Sequence, residues 1–333
     1  MRRTLFVILV AAACGGSHKS TTPPPTLPPE AKAEPAPPPA PPPAPAKPVA
    51  PPVPQGPLEM SLPAPQVTVK LVSPGKGKRA ALKLATKQGA KQSVDIAMDF
   101  SGKQTAPAEL GGAQEQVAPT VVLTGDLEAQ DVAKDGATKF QLTITGVDAK
   151  DKEGAKESGA TFKQNLTSLA GMTIAGTVNA NGTTSDLSLH LDKPDEKSEG
   201  AMGLVKLSLM PMWPVLPAVP VGVGAKWQVT EIQKVADRLV VTQTVDYELT
   251  GHKGTAWTIK GTAKVTGADQ EIEKAKFSAI GGNGTAEVTL TDGALAPATK
   301  VKLVTDFTAS ANAGGKDVSL VFHLEQSNAV APK

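Results

Sequence analysis

The side chains that most often carry chemistry in proteins are sparse and widely separated in this chain. Its one cysteine is Cys14, and its four histidines are His18, His190, His252 and His323. A zinc site needs three or four converging ligands, and a nucleophilic site needs a base beside the nucleophile. The sequence has neither pattern, so it predicts no catalytic residue, no metal site and no cofactor.

Two groups of carboxylates are the remaining candidates for chemistry. Asp148, Asp151 and Glu153 precede a glycine as in a calcium loop, but their spacing differs from the one-three-five pattern of such loops. Asp95 and Asp99 fall on one face of a predicted strand, as the paired acids of a glycosidase might. A solvated turn and a wet sheet face explain the two groups more simply. Because no nucleophile-elbow, phosphate-loop or dinucleotide motif is present, we expect a protein that is not an enzyme.

The position of Cys14 indicates a covalent modification. Residues 1–13 begin with a basic start, continue through a short apolar run and end in three alanines, which is typical of a secretory signal peptide. The small residues before Cys14 resemble the lipobox of bacterial lipoproteins, in which the cysteine is acylated and becomes the first residue of the mature protein. The resemblance implies a membrane anchor at Cys14. An incidental cysteine in an ordinary cleaved signal is the alternative.

The residues after Cys14 predict a location and a spacer. Gly15 and Gly16 stand where an aspartate would retain a lipoprotein at the inner membrane, so the resemblance implies the outer membrane of the bacterial cell envelope. Residues 14–22 would form the lipidated N-terminus. Residues 23–65 hold 20 of the 30 prolines and predict a stalk, which could reach on the order of 130 Å as polyproline II.

Residues 66–333 are dominated by alternation of apolar and polar side chains with a period of two. This alternation predicts long antiparallel strands with one apolar face. Helical patterns occur only at residues 162–170 and 196–210. The predicted fold class is therefore mainly β, in a curled sheet, half-barrel or sandwich with one or two short helices. Asn181-Gly182 and Asn283-Gly284 each predict a tight hairpin turn.

A crossover at residues 196–224 separates two predicted strand sets. Within it, the run PMWPVLPAVP places a proline at every third position from 211 to 220, the period of a polyproline II turn, and leaves every face apolar. Two interpretations stay open for Met212, Trp213 and Leu216. They are either core residues that close the domain or contacts and lid for a hydrophobic ligand.

The same region carries a resemblance to a known group of proteins. An apolar helix, an L-P-x-x-P crossover, V-G-x-x-W-x-V at residues 223–229 and then long alternating strands follow one another. This order resembles an uncharacterised family of β-rich bacterial lipoproteins, over most of residues 67–326. The motifs are structural, and the resemblance implies no catalytic residues.

Charge and aromatic content narrow the classes of partner. Without Arg2 and Arg3 of the signal, the 34 basic side chains become 32 and equal the 32 acidic ones, so counterion release would not favour nucleic acid. Aromatic residues make up 3% of the chain, too few for a stacking platform. Two functions remain: a non-enzymatic interaction or structural module with an envelope protein as partner, or a carrier of lipid or another hydrophobic ligand in a half-barrel cavity.

Overall fold

Long antiparallel strands form most of the folded chain, because alternating side chains let each strand bury one face and expose the other. The computed structural model describes residues 56–333 apart from 210–211, 236–238 and 314–315. In these residues it contains one large antiparallel sheet, a small two-stranded sheet and two α-helices. The predicted fold class is confirmed.

The elements before the crossover are mostly strands. These strands are β1 (Leu58–Leu62), β2 (Gln66–Ser73), β3 (Lys76–Ala80), β4 (Lys91–Thr105), β5 (Ala113–Val117), β6 (Thr120–Val132), β7 (Thr138–Lys150), β8 (Thr173–Val178) and β9 (Thr184–Leu191). Helix α1 (Gly159–Gln164) lies between β7 and β8, followed by a single 3-10 turn. Helix α2 (Ser198–Leu209) opens the crossover.

The elements from the end of the crossover onward are all strands, and most of them are long. They are β10 (Val221–Val223), β11 (Lys226–Val235), β12 (Leu239–Lys253), β13 (Ala256–Thr266), β14 (Gln270–Ile272), β15 (Ala275–Thr291), β16 (Ala298–Ala313) and β17 (Lys316–Pro332). Helix α2 lies within the predicted range 196–210, whereas α1 covers only the start of the predicted range 162–170, whose later part forms the 3-10 turn. The apolar sides of both helices, including Phe162 of α1 and Met202 of α2, are buried.

Two strand pairings join the two halves of the chain into a single sheet, one in its middle and one at its edge. The hydrogen-bonded order is β1-β9-β8-β7-β6-β4-β17-β16-β15-β13-β12-β11-β2, with β5 beside β4 and β14 beside β15. The central join is β4 against β17, with partners from Val94 and Pro332 to Thr105 and Val321, and the edge join is β2 against β11. The last strand of the chain therefore lies in the middle of the sheet.

The two ends of this order are held by consecutive strands. β1 pairs with β9 at one edge, and β2 pairs with β11 at the other. Only residues 63–65 separate β1 from β2. The four peptide units from Leu62 to Gln66 span at most about 14 Å. The two edges must therefore approach each other where the chain crosses between them, so the sheet curls.

The inner face of the curl is the core. Its main cluster draws on both halves of the chain, with Leu142 of β7 and Ile259 of β13 both fully buried. A second, smaller cluster lies towards the far ends of the long strands. There Phe277, Phe307 and Phe322 pack in order across β15, β16 and β17.

One of the two predicted hairpin turns is wrong. Asn181-Gly182 does lie in the connection between β8 and β9, with Gly182 at a φ of 86°. Asn283-Gly284 instead lies inside β15, paired with both β13 and β16. A Cβ on Gly284 would overlap the carbonyl oxygen of Lys302. This glycine serves a close approach of two strands, which the dipeptide alone does not distinguish from a turn.

The sheet also begins earlier than residue 66. β1 lies inside the range 23–65 that the sequence assigned to the stalk, and its Leu62 is 8% exposed in the main core. Prolines at 57, 63 and 65 flank this strand and give the segment the composition of a stalk. The edge position explains how the strand tolerates such neighbours, because prolines are accepted at the edges and ends of sheets.

Leu62→Ala tests whether β1 belongs to the folded domain. Removing this buried side chain should lower the free energy of unfolding by about 2 to 4 kcal/mol. Ser61→Ala is the matched control, since Ser61 is exposed on the same strand and should change stability by less than about 0.5 kcal/mol. Denaturant unfolding of both variants measures the difference, and equal stability would place β1 outside the cooperative fold.

Candidate functional site

The crossover, where sequence placed the ligand-contact candidates, lies in the core. Met212 and Leu216 are fully buried, and Trp213 is 6% exposed. The indole Nε1 of Trp213 donates a hydrogen bond to the carbonyl oxygen of Leu295 at 3.2 Å. Its ring packs on Phe140 with centroids 4.8 Å apart. Trp213 therefore connects the first strand set, through β7, to the loop between β15 and β16.

A second tryptophan fixes the crossover from the other side. The Nε1 of Trp227 donates to the carbonyl oxygen of Val215 at 3.0 Å, and its ring stacks on Tyr247. The backbone N–H of Leu216 donates to the carbonyl oxygen of Asn181 at 2.8 Å. These bonds satisfy polar groups of a proline-rich segment that has no hydrogen bonds of its own.

Space beside the crossover is small. A cavity of about 10 Å³ is lined by Trp213, Phe140, Leu127, Thr86 and others. The hydroxyl of Thr86 is buried there without a hydrogen-bond partner among the described residues. One water molecule fits such a volume, whereas ligand pockets measure about 300 Å³ or more. A ligand at Met212, Trp213 and Leu216 would require the crossover to move.

Two histidines each lie between two carboxylates on the wet face of the sheet. The ring of His190 contacts Glu59 of β1 through Nδ1, and its Nε2 lies 2.8 Å from Asp192. His323 has the same arrangement, between Asp306 of β16 at 2.7 Å and a glutamate of its own strand at 3.1 Å. Hydrogen bonds to the carboxylates raise the pKa of both imidazoles. These contacts hold neighbouring strands together.

The other polar candidates also have structural partners. Asp95 accepts from Lys333 Nζ at 2.7 Å, and Asp99 pairs with Lys152 at 3.2 Å. The carboxylate of Asp151 accepts from the first backbone N–H of α1 at 2.6 Å. Throughout the part of the chain that the structure describes, no three His, Cys, Asp or Glu residues are grouped to hold a metal ion.

A carboxylate on the inner face was missed by sequence reasoning. Glu231 shares its parity on β11 with the buried Trp227 and Val229, so it points into the curl. Its Oε2 accepts a hydrogen bond from Gln233 Nε2 at 2.8 Å. Burial raises the pKa of the Glu231 carboxyl above its usual range, although that hydrogen bond opposes the shift. The sequence could have indicated this residue, because Glu231 is charged and lies at a position of the strand's alternation where an apolar residue is expected.

The surroundings of Glu231 differ from the rest of the inner face. Burial, with a smaller contribution from the charge of Glu231, raises the pKa of the Tyr247 phenol. Strand register places Gln243, Val265, Gly282, Thr305 and Leu324 at the same level. Val265 is buried in the second cluster, whereas the other four are only partly buried, so the inner face at this level is filled at β13 and partly exposed on the strands around it.

Comparisons with known proteins add no family. No protein-family model matches the chain, and neither does any curated protein. Within the described residues, no helix is long and apolar enough to cross a membrane. Cys14, His18 and the signal at residues 1–13 lie outside the described residues.

Trp213→Ala separates the core interpretation from the lid interpretation. Because Trp213 is buried and hydrogen-bonded, truncation should lower the free energy of unfolding by about 3 to 5 kcal/mol. Trp227→Ala serves as the control, with a similar loss under either interpretation. Thermal unfolding and binding of a fluorescent apolar probe are measured on both variants. A stable Trp213→Ala protein that has lost probe binding would contradict the core interpretation.

Glu231→Gln should stabilise the protein at neutral pH. A carboxyl whose pKa is raised by folding holds its proton more tightly in the folded state, so stability falls as pH rises through the folded-state pKa. The variant lacks this loss. Its advantage over wild type should therefore be larger at about pH 8 than at about pH 4, near the usual glutamate pKa. Glu287→Gln, at an exposed position on the outer face of β15, should give no such pH-dependent gain in unfolding experiments.

Proposed function

We propose that this chain is a lipoprotein of the bacterial cell envelope, anchored through acyl chains on Cys14. A proline-rich spacer carries a non-enzymatic β domain, which acts as an interaction or structural module. The observation that carries the second part is that five of the ionisable groups considered in the sequence analysis have structural partners. Asp95 and Asp99 pair with lysines, Asp151 caps a helix, and two histidines bridge strands.

The first part is supported by the sequence around Cys14. An apolar run of this length followed by small residues and a cysteine has the pattern of a lipoprotein signal. Two or more acyl chains hold a protein firmly, since each buried CH₂ contributes about 0.8 kcal/mol. Gly15 and Gly16 favour the outer membrane. The order of crossover motifs, which resembles β-rich bacterial lipoproteins, supports the same class.

The path of the chain supports a mechanical role for the spacer. The residues that follow it form β1 and β2, which hold the two edges of the sheet. Tension on the anchor would therefore reach β1 first, along its pairing with β9. The anchor and the folded domain are joined through a strand with a buried leucine, which suits a module that is tethered to a membrane.

A carrier of hydrophobic ligands is the second candidate. Partial exposure of inner-face residues at the level of Glu231 favours it, whereas the filled crossover does not. Solvent extraction of the purified full chain, followed by mass spectrometry, separates the two candidates. A stoichiometric lipid that is not covalently attached would favour the carrier, and its absence would favour the interaction module.

Acylation of Cys14 is tested in the native bacterium. Mass spectrometry of the N-terminal peptide should find a lipid-modified cysteine as the first residue, and the protein should partition into detergent. Cys14→Ala should move it to the aqueous phase, while Ser17→Ala, three residues away, should leave partitioning unchanged. If Cys14→Ala partitions into detergent to the same extent as wild type, the anchor proposal is contradicted.

A further inference from the structure

Positive charge is concentrated in one segment of a chain whose basic and acidic residues nearly balance in total. Between Glu59 and Asp95 there is no acidic residue. The same segment contains seven basic ones: Lys70, Lys76, Lys78, Arg79, Lys83, Lys87 and Lys91. The near-neutral net charge of the whole chain does not reveal this basic segment, because the remaining residues carry an excess of acidic side chains. A local field of one sign attracts a partner of the opposite sign.

The centre of this segment is a short ribbon of two strands. β3 pairs with β10 and lies outside the large sheet. The ribbon is fixed at its base, where the N–H of Gly222 donates to the carbonyl oxygen of Pro74 at 2.9 Å. A Cβ on Gly75 would overlap the carbonyl oxygen of Gly222. The ribbon is therefore held firmly between the end of β2 and the end of the crossover.

The cations of the ribbon face solvent without partners. Lys76, Lys78 and Arg79 are exposed, and none forms an ion pair within 4.0 Å among the described residues. The outer face of the large sheet is different. There, strand register aligns residues of alternating charge on five neighbouring strands: Lys226, Glu248, Lys260, Glu287 and Lys300. Charges on that face neutralise each other, whereas charges on the ribbon do not.

Exposed apolar side chains surround the same ribbon. Val223 is 43% exposed and lies opposite Lys76 in the ladder. Val219 is 48% exposed, two residues before β10, and Val72 is 62% exposed, two residues before Pro74. Val223 thus lies beside one unpaired cation in the ladder, and Val219 and Val72 lie in the chain segments that lead into the two strands of the ribbon. We call these three valines and the three cations of the ribbon the basic ribbon surface.

We propose that the basic ribbon surface docks on an anionic phospholipid membrane. Its cations would pair with lipid phosphates, and its valines would enter the boundary between headgroups and acyl chains. Both the cations and the exposed valines make favourable contacts at the surface of an anionic membrane. A soluble polyanion would use only the cations, and the valines would remain in water. The charge complementarity and the valines together favour the membrane over nucleic acid or an anionic polysaccharide.

The proposal goes beyond the lipid anchor and does not depend on it. Each basic residue near an anionic leaflet contributes about 1 kcal/mol, which is roughly a fivefold change in binding. Three such residues would give a change of roughly 100-fold at low salt. Residues 14–55 provide a tether that is long enough to let the domain reach a bilayer surface.

Vesicle binding tests the surface without the acyl anchor. The chain from residue 14 onward, with Cys14→Ser, retains every residue that the structure describes. It should bind phosphatidylglycerol-containing vesicles and not pure phosphatidylcholine vesicles, with binding that weakens as salt rises. Replacing Lys76, Lys78 and Arg79 by glutamine should reduce binding by roughly 100-fold at low salt. The control replaces Lys260, Lys264 and Lys302, which removes the same charge from the outer face, and should change binding less than about threefold.

Two further arms distinguish the alternatives. Val72→Thr with Val223→Thr keeps β-branched residues and should weaken vesicle binding while leaving the thermal midpoint unchanged. Heparin and inorganic polyphosphate are tested as soluble polyanions. Binding to these polymers without binding to anionic vesicles would overturn the membrane proposal. So would equal loss in the ribbon and control triple variants, because it would show attraction to net charge alone.

Discussion

The constraint on which the fold depends is the short connection between β1 and β2. These strands are consecutive in sequence yet form opposite edges of the described sheet, with only three residues between them. A flat sheet of this many strands could not satisfy that connection, because adjacent strands lie about 4.8 Å apart. The sheet must curl, and curling turns one face of every strand inward. Alternation of apolar and polar residues along the chain is the sequence counterpart of this geometry.

The crossover fills the concave side of the curled sheet. A curled sheet needs material to fill its concave side, and residues 212–217 supply buried side chains between the two strand sets. The indoles of Trp213 and Trp227 each donate one hydrogen bond across this boundary. Both buried indole N–H groups are therefore paired, although the crossover is rich in proline. The buried side chains of the crossover are an argument against a ligand beneath it. The partly exposed level around Glu231 and the outer surfaces are the other places where a ligand or partner could bind. The proposed functions therefore depend on the proposed anchor at Cys14 and on exposed surfaces such as the basic ribbon.

Much of this architecture could be predicted from sequence, for definite physical reasons. Period-two alternation marks strands wherever one face is buried, and the helical pattern at residues 196–210 corresponds to α2, while the pattern at 162–170 corresponds to the end of α1 and a 3-10 turn. Asn283-Gly284 misled because glycine serves close strand contacts as well as turns. Residues 58–62 were assigned to the stalk because composition cannot show that a short, proline-flanked segment finds an edge to pair with. Glu231 could have been found from its parity, and the basic ribbon from local rather than total charge. The meeting of the two sheet edges could not have been predicted from the sequence, because strand order depends on contacts between residues far apart in sequence.

The central claim is that the two strand sets, joined by β4 with β17, by β2 with β11 and by the crossover, behave as one unit. Calorimetric unfolding of the full chain tests it most directly. A single transition, with equal calorimetric and van't Hoff enthalpies, is the predicted result. Two resolved transitions, one assigned to the strands before the crossover and one to those after it, would contradict the account.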